Sequence, residues 1–209
     1  MKNKYVNFIT DDHLLECVGN LHNAYLKAKN NITKKNFYSN KVDTIKLTFD
    51  SKFNDIDEES LIQAEILRQI DKSINNSIDT FHEQILGGIK SFEVGNLSGF
   101  DIKAKDDSLF AILIFELLPK NIEEGLFEKF CNHARLNKKA SYYFVDFFSN
   151  DDYYKKWVLI NEEATVSHKR VFKISANKFY QLLTGNEDAI SILQNKLQIV
   201  VEDFKTQLI

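Results

Sequence analysis

The most constraining feature of the sequence is an apolar run at residues 109–118, which reads LFAILIFELL. A strand with one solvated face alternates apolar and polar side chains, whereas this run is apolar at nearly every position. It therefore predicts a central β-strand that is buried between helices. Two shorter extended segments, residues 92–94 and 100–104, precede it with NLSG and KDD turns between them, which predicts a meander of three strands.

Helices and further strands are predicted on both sides of this meander. Apolar residues at three- and four-residue intervals predict helices over residues 11–29, 55–89, 121–136, 177–184 and 188–206. Branched and aromatic residues predict strands over residues 141–148, 157–160 and 170–175, and a strand or extended arm over residues 42–49. The order predicts an α/β fold with a mixed central sheet flanked by helices.

The longest predicted helix, residues 55–89, has signals at both ends. Asp55 and Glu58 have a capping-box-like spacing, and Gly87 with Gly88 forms a plausible C-terminal stop. Along the chain we find no linker, internal repeat or low-complexity tract. Residues 1–209 are therefore predicted to form a single domain.

Composition indicates a folded and soluble chain. Hydrophobic residues make up 44% of the 209 residues and charged residues 27%, with a single proline. The N-terminus lacks the apolar run of a signal peptide and no segment is long enough to span a membrane, which predicts a cytoplasmic protein. Cys17 and Cys131 lie far apart without metal-ligand spacing, so buried thiols are expected. The net charge of −3 argues against indiscriminate coating of nucleic acid.

Two basic segments are candidates for DNA contact. The first contains Lys34, Lys35, Asn40 and Lys41 beside an aromatic pair, and a solvated loop explains the same residues equally well. The second, residues 167–175, contributes Lys169, Arg170 and Lys173. There an arginine can pair with guanine, and the alternative is an exposed edge strand protected by charge. Lys105 is a further candidate for DNA contact.

Polar residues around the meander suggest half of a metal-dependent nuclease site. Glu83 lies near the end of the long predicted helix, and Asp101 and Lys103 lie on the second predicted strand. Mg²⁺ prefers oxygen ligands, and phosphodiester hydrolysis needs a cation near the developing negative charge. The alternatives are that Glu83 is a solvated surface residue and that Asp101 merely starts a strand after a turn.

Several long blocks carry a more specific resemblance. The blocks are ITKKNFYSNKVDTIKLTFD, RQIDKSINNSI, FHEQILGGI, VGNLSGFDIKAKD and SHKRVFKISANKFYQLLTG. Together they resemble the GGNCC-cutting type II restriction endonuclease family of the PD-(D/E)xK nucleases. The resemblance implies a restriction-endonuclease-like core and a homodimer that cuts double-stranded DNA at a palindromic site with Mg²⁺. It makes Asp101 the metal-binding aspartate and Glu83 a candidate accessory carboxylate.

The sequence departs from that family on the apolar strand. Ile112 and Ile114 stand where the resemblance places a second metal carboxylate and a catalytic lysine. Two substitutes are considered: Glu116 as the second carboxylate, on the same strand face as the isoleucines, and Lys103 as the lysine, on the face of Asp101. Three hypotheses stay open: an active nuclease, an inactive homologue that binds DNA, and a protein-binding module.

Overall fold

The computed structural model describes residues 3–30, 43–95, 99–160 and 165–207. The chain forms two compact units, one made of Met1–Cys17 with His82–Ile209 and the other of Val18–Phe81. The described helices are α1 (Asp11–Asn30), α2 (Thr44–Phe53), α3 (Glu58–Gly87), α4 (Lys120–Leu136), α5 (Ala176–Thr184) and α6 (Ala189–Gln207). Within these ranges no helix has the length and apolarity needed to cross a membrane. The single-domain interpretation stays a prediction.

The first unit contains a six-stranded sheet. Its strands are β1 (Phe92–Val94), β2 (Ile102–Ala104), β3 (Leu109–Ile114), β4 (Ser141–Asp146), β5 (Tyr154–Ile160) and β6 (Thr165–Ser175). Their order across the sheet is β1-β2-β3-β4-β6-β5, with β3, β4 and β6 parallel and the other pairs antiparallel. The predicted meander and the interior position of β3 are therefore confirmed.

Helix α4 covers one face of this sheet because its apolar side meets large aromatic side chains. Phe127 and Phe130 of α4 join an apolar cluster with Tyr142, Phe144 and Trp157 of the strands. The opposite face carries Tyr143 and Phe172, which stack at 5.4 Å, and Tyr143 also packs against Phe179 of α5. A mixed sheet flanked by helices confirms the predicted α/β, restriction-endonuclease-like class.

The prediction of a strand or extended arm over residues 42–49 was wrong for the described part of that segment. Residues 44–53 form α2, because the Asp43 carboxylate accepts the N–H groups of Ile45 and Lys46 at 3.0 and 3.1 Å. An N-cap of this kind satisfies donors that would otherwise lack partners at a helix start. The alternating apolar residues in this segment are a weaker signal than the cap.

Other predicted boundaries shift by a few residues. Asp57, rather than Asp55, caps α3, since its carboxylate accepts the Ser60 N–H at 2.9 Å. The central strand ends at Ile114, four residues earlier than predicted. Cys17 and Cys131 are free and buried, as predicted, and burial raises the pKa of both thiols.

We expect Asp43→Ala to destabilise α2 by about 1 kcal/mol, because the Ile45 and Lys46 N–H groups lose their acceptor. Amide hydrogen exchange within residues 44–53 should become faster. Asp43→Asn keeps a capping oxygen and is the matched control, with exchange close to that of the wild type. Equal exchange in the Ala and Asn variants would contradict the capping role.

Candidate functional site

Asp101 occupies a fixed position where the chain enters β2. Its N–H donates to the Ala111 carbonyl at 2.9 Å, and its Oδ2 accepts the Leu113 N–H at 2.8 Å. The preceding Gly99 has φ of 82°, in the left-handed region that favours glycine, and this turn directs the chain into the strand. The half-buried Asp101 carboxylate therefore accepts the hydrogen bond of the Leu113 N–H in β3, in place of a backbone carbonyl of a neighbouring strand.

The pKa of the Asp101 carboxyl is affected by burial, by one hydrogen bond and by one lysine. Burial raises the pKa of the carboxyl, while the Leu113 N–H and the charge of Lys129 act in the opposite direction. Lys129 belongs to α4, and its Nζ donates to the Gly99 carbonyl and lies 4.8 Å from the centre of the Phe100 ring. Sequence reasoning missed Lys129, since it lies 28 positions from Asp101 and nothing in the local pattern of α4 distinguishes it.

Ile112 and Ile114 belong to the packed interior of the sheet. Ile114 is buried in the apolar cluster that contains Phe127 and Phe130 of α4, and Ile112 packs against the same cluster. Aliphatic side chains have no group that ligates Mg²⁺ or donates a hydrogen bond to phosphate. These two positions therefore contribute packing rather than charge.

The two other predicted carboxylates lie in different surroundings. Glu83 is half-buried in the last turns of α3. Its neighbour His82 holds this helix end, with Nδ1 3.1 Å from the Tyr180 hydroxyl, and burial lowers the pKa of His82 to about 4. Glu116 is exposed two residues beyond the end of β3, so the predicted strand face shared with Ile112 and Ile114 does not extend to it.

The lysines of the GFDIKAKD block interact with neighbouring turns. Lys103 Nζ lies 2.8 Å from the Asp107 carboxylate, and its pKa is raised by Asp107. Lys105 Nζ donates to the Lys90 carbonyl at 3.0 Å. The lysine whose charge acts on the Asp101 carboxyl is therefore Lys129, whereas Lys103 faces the Asp107 carboxylate.

Metal-ligating side chains are dispersed over the described part of the chain. Across residues 3–30, 43–95, 99–160 and 165–207, no group of three or more His, Cys, Asp or Glu side chains is placed to hold a metal ion. A metal held by protein groups alone therefore does not fit this part of the chain. Any ion bound at Asp101 would need oxygen ligands from substrate or water.

The second basic segment, on β6, has structural partners. Arg170 donates to the carbonyls of Ala140 at 3.0 Å and Asn137 at 3.5 Å, and also to that of Ala134, so it joins β6 to the C-terminal end of α4. Lys173 binds the Glu123 carboxylate and lies 4.8 and 5.1 Å from the centres of the Phe144 and Trp157 rings.

DNA contact by the basic residues stays a prediction. Lys169 is exposed on β6. The first basic segment, with Lys34, Lys35, Asn40 and Lys41, lies outside the described residues.

Comparisons with known proteins extend over the whole described sheet. Residues 6–205 match the family model described as Eco47II restriction endonuclease. The type II restriction enzyme Sau96I of Staphylococcus aureus is 33% identical over 217 residues, which cover 98% of this chain and 82% of that enzyme. The type II restriction enzyme Eco47II of Escherichia coli is 25% identical over 219 residues, covering 94% of this chain and 87% of that enzyme.

We expect Arg170→Met to lower the free energy of unfolding by about 2 kcal/mol, because carbonyls at the end of α4 lose a charged donor. Urea unfolding measures the change. Lys169→Met removes the same charge from an exposed neighbour and should leave stability nearly unchanged. Equal stabilities of the two variants would contradict the structural role of Arg170.

We expect Asp101→Ala to destabilise the chain by about 1–3 kcal/mol, because the Leu113 N–H loses its acceptor. Asp101→Asn retains an acceptor and removes the cost of burying a charge. Because burial raises the folded-state pKa, the wild type should lose stability relative to Asp101→Asn as pH rises from about 3.9 through that pKa. Urea unfolding across this range tests the sign, and a wild type that gains stability relative to Asp101→Asn would contradict it.

Proposed function

The chain belongs to the Eco47II family of type II restriction endonucleases, and from this premise we propose that it hydrolyses phosphodiester bonds of double-stranded DNA at a short palindromic site with Mg²⁺. The observation that carries the proposal is the family match over residues 6–205, which includes Asp101 and the strands around it. A palindromic site favours a homodimer, because a two-fold axis presents the same groups to each half-site.

Asp101 is the residue that would hold the metal. Mg²⁺ often binds through one or two carboxylates, with water and substrate phosphates completing its ligands. The Asp101 carboxylate, held in place by the Leu113 N–H that donates to its Oδ2, is the group that would hold the ion. A single carboxylate such as Asp101 fits a site in which water and phosphate supply the other ligands. Mg²⁺ bound there would supply positive charge to the phosphate.

The remaining site residues keep their proposed roles. Glu83 is the accessory carboxylate, supported by its half-buried position in the last turns of α3. Glu116 and Lys103 are the candidates for a second carboxylate and a cation, although Lys103 already pairs with Asp107. The proposed DNA contacts are Lys34, Lys35, Asn40, Lys41, Lys105, Lys169, Arg170 and Lys173. Two buried free thiols suit the proposed cytoplasmic location.

A second candidate function is DNA binding without hydrolysis. One observation favours it: Ile112 and Ile114 form part of the apolar core at the positions where the family resemblance places a carboxylate and a lysine. Loss of both groups would leave the fold and its DNA-binding surface intact while removing charge from the reaction centre. The two candidates share a DNA ligand and differ only in whether the bound DNA is hydrolysed.

Incubation with a duplex that contains a GGNCC site and Mg²⁺ separates the candidates. We expect cleavage at that site. Asp101→Asn should slow cleavage on the order of 100-fold or more, the scale of losing one preorganised charged group. Asp106→Asn is the matched control, since Asp106 is exposed in the same block.

Gel retardation on the same duplex completes the test. Retardation of the site without cleavage would identify the non-hydrolysing homologue. Absence of both would contradict any action on this DNA and would favour the protein-binding module. Cleavage that survives Asp101→Asn would show that Asp101 is not the metal carboxylate.

A further inference from the structure

Lys129 is the basic residue that α4 places beside Asp101. Its Nζ donates to the Gly99 carbonyl, two residues before Asp101 in the chain. Its positive charge acts on the Asp101 carboxylate. Strand β3 has an isoleucine at position 114. The positive charge that acts on Asp101 therefore comes from α4 and not from β3.

Lys129 lies beside the packed ring of Phe100. The Phe100 ring is buried, with ring-centre distances of 5.5 Å to Phe130 and 5.6 Å to Tyr142. Lys129 Nζ lies 4.8 Å from the centre of this ring. A Cβ at Gly99 would come within 2.8 Å of Nζ, so the absence of a side chain there permits the close approach.

Lys129 also retains capacity for an anion. A lysine ammonium has three N–H donors, and the Gly99 carbonyl takes one of them. Among ion pairs of the described residues, Lys103 binds Asp107 and Lys173 binds Glu123, whereas Lys129 is not a member of any such pair. Its charge therefore faces a half-buried carboxylate and a neutral carbonyl.

We propose that Lys129 supplies the ammonium group that contacts a DNA phosphate beside Asp101. This inference rests on the proposed action on DNA and holds whether or not hydrolysis occurs. The ligand is a phosphodiester anion, which the Asp101 carboxylate alone would repel. Lys129 offsets that repulsion and donates hydrogen bonds to the non-bridging oxygens.

Lys129→Gln separates this role from a purely structural one. The glutamine amide keeps an N–H donor for the Gly99 carbonyl but removes the charge. We expect affinity for a GGNCC duplex, measured without divalent metal, to fall on the order of tenfold. The slope of log affinity against log salt should decrease by about one, the effect of a single lost phosphate contact.

Two variants control for charge and for stability. Lys139→Met removes an exposed lysine just after α4 and should leave the salt slope unchanged. Lys129→Met removes both the charge and the donor to Gly99 and should match Lys129→Gln in affinity. A structural role predicts instead that Lys129→Gln binds like the wild type and that only Lys129→Met loses affinity, together with thermal stability.

Neutral methylphosphonates at single positions of the duplex then locate the phosphate. At the contacted position the substitution should weaken binding by the wild type and have little further effect on Lys129→Gln, because one contact cannot be lost twice. Additive losses at every position, or an unchanged salt slope in Lys129→Gln, would overturn the proposal while leaving DNA binding established. A wild type that fails to bind any GGNCC duplex would overturn the proposed function and this inference with it.

Discussion

The packing of α4 against the strands β3 and β4 is the interaction on which the first unit depends. Strand β3 is apolar on both faces, so both faces must be covered by packed side chains and both edges must pair with neighbouring strands. Parallel pairing with β4 requires a crossover, and α4 provides it. The stacked rings of Phe110 and Tyr142, 5.4 Å apart, form part of the surface that α4 covers. This packing also determines which side chains of α4 reach the start of β2.

The same packing explains why the central strand β3 has no charged or polar side chains. Ile112 and Ile114 fill the space beneath α4, where an unpaired charge would be costly to bury. The polar residues that are candidates for a site therefore lie outside this apolar packing. Asp101 lies at the entrance to β2 and accepts the Leu113 N–H, and Lys129 of α4 donates to the Gly99 carbonyl two residues earlier.

Basic residues illustrate how one residue type serves different purposes. Arg170 satisfies carbonyls at the end of α4, and Lys173 binds Glu123 above two aromatic rings. Both lie in a segment whose composition suggests DNA contact as much as it suggests structure. Composition shows that a segment is basic but not what its side chains bind. The partners of Arg170 and Lys173 lie 30 to 50 positions away in the chain.

Local pattern in the sequence determined most helices and the meander with its buried strand. The signals for these features, such as apolar periodicity, turn glycines and motif spacing, act over a few residues. The helix at Thr44–Phe53 was not predicted, because alternating apolar residues indicate a strand and the Asp43 cap indicates a helix within the same short segment. Which lysine acts on the Asp101 carboxyl was decided only by tertiary structure. The charge of Lys129 acts on that carboxyl because aromatic packing positions α4, and no local pattern encodes an interaction across 28 positions.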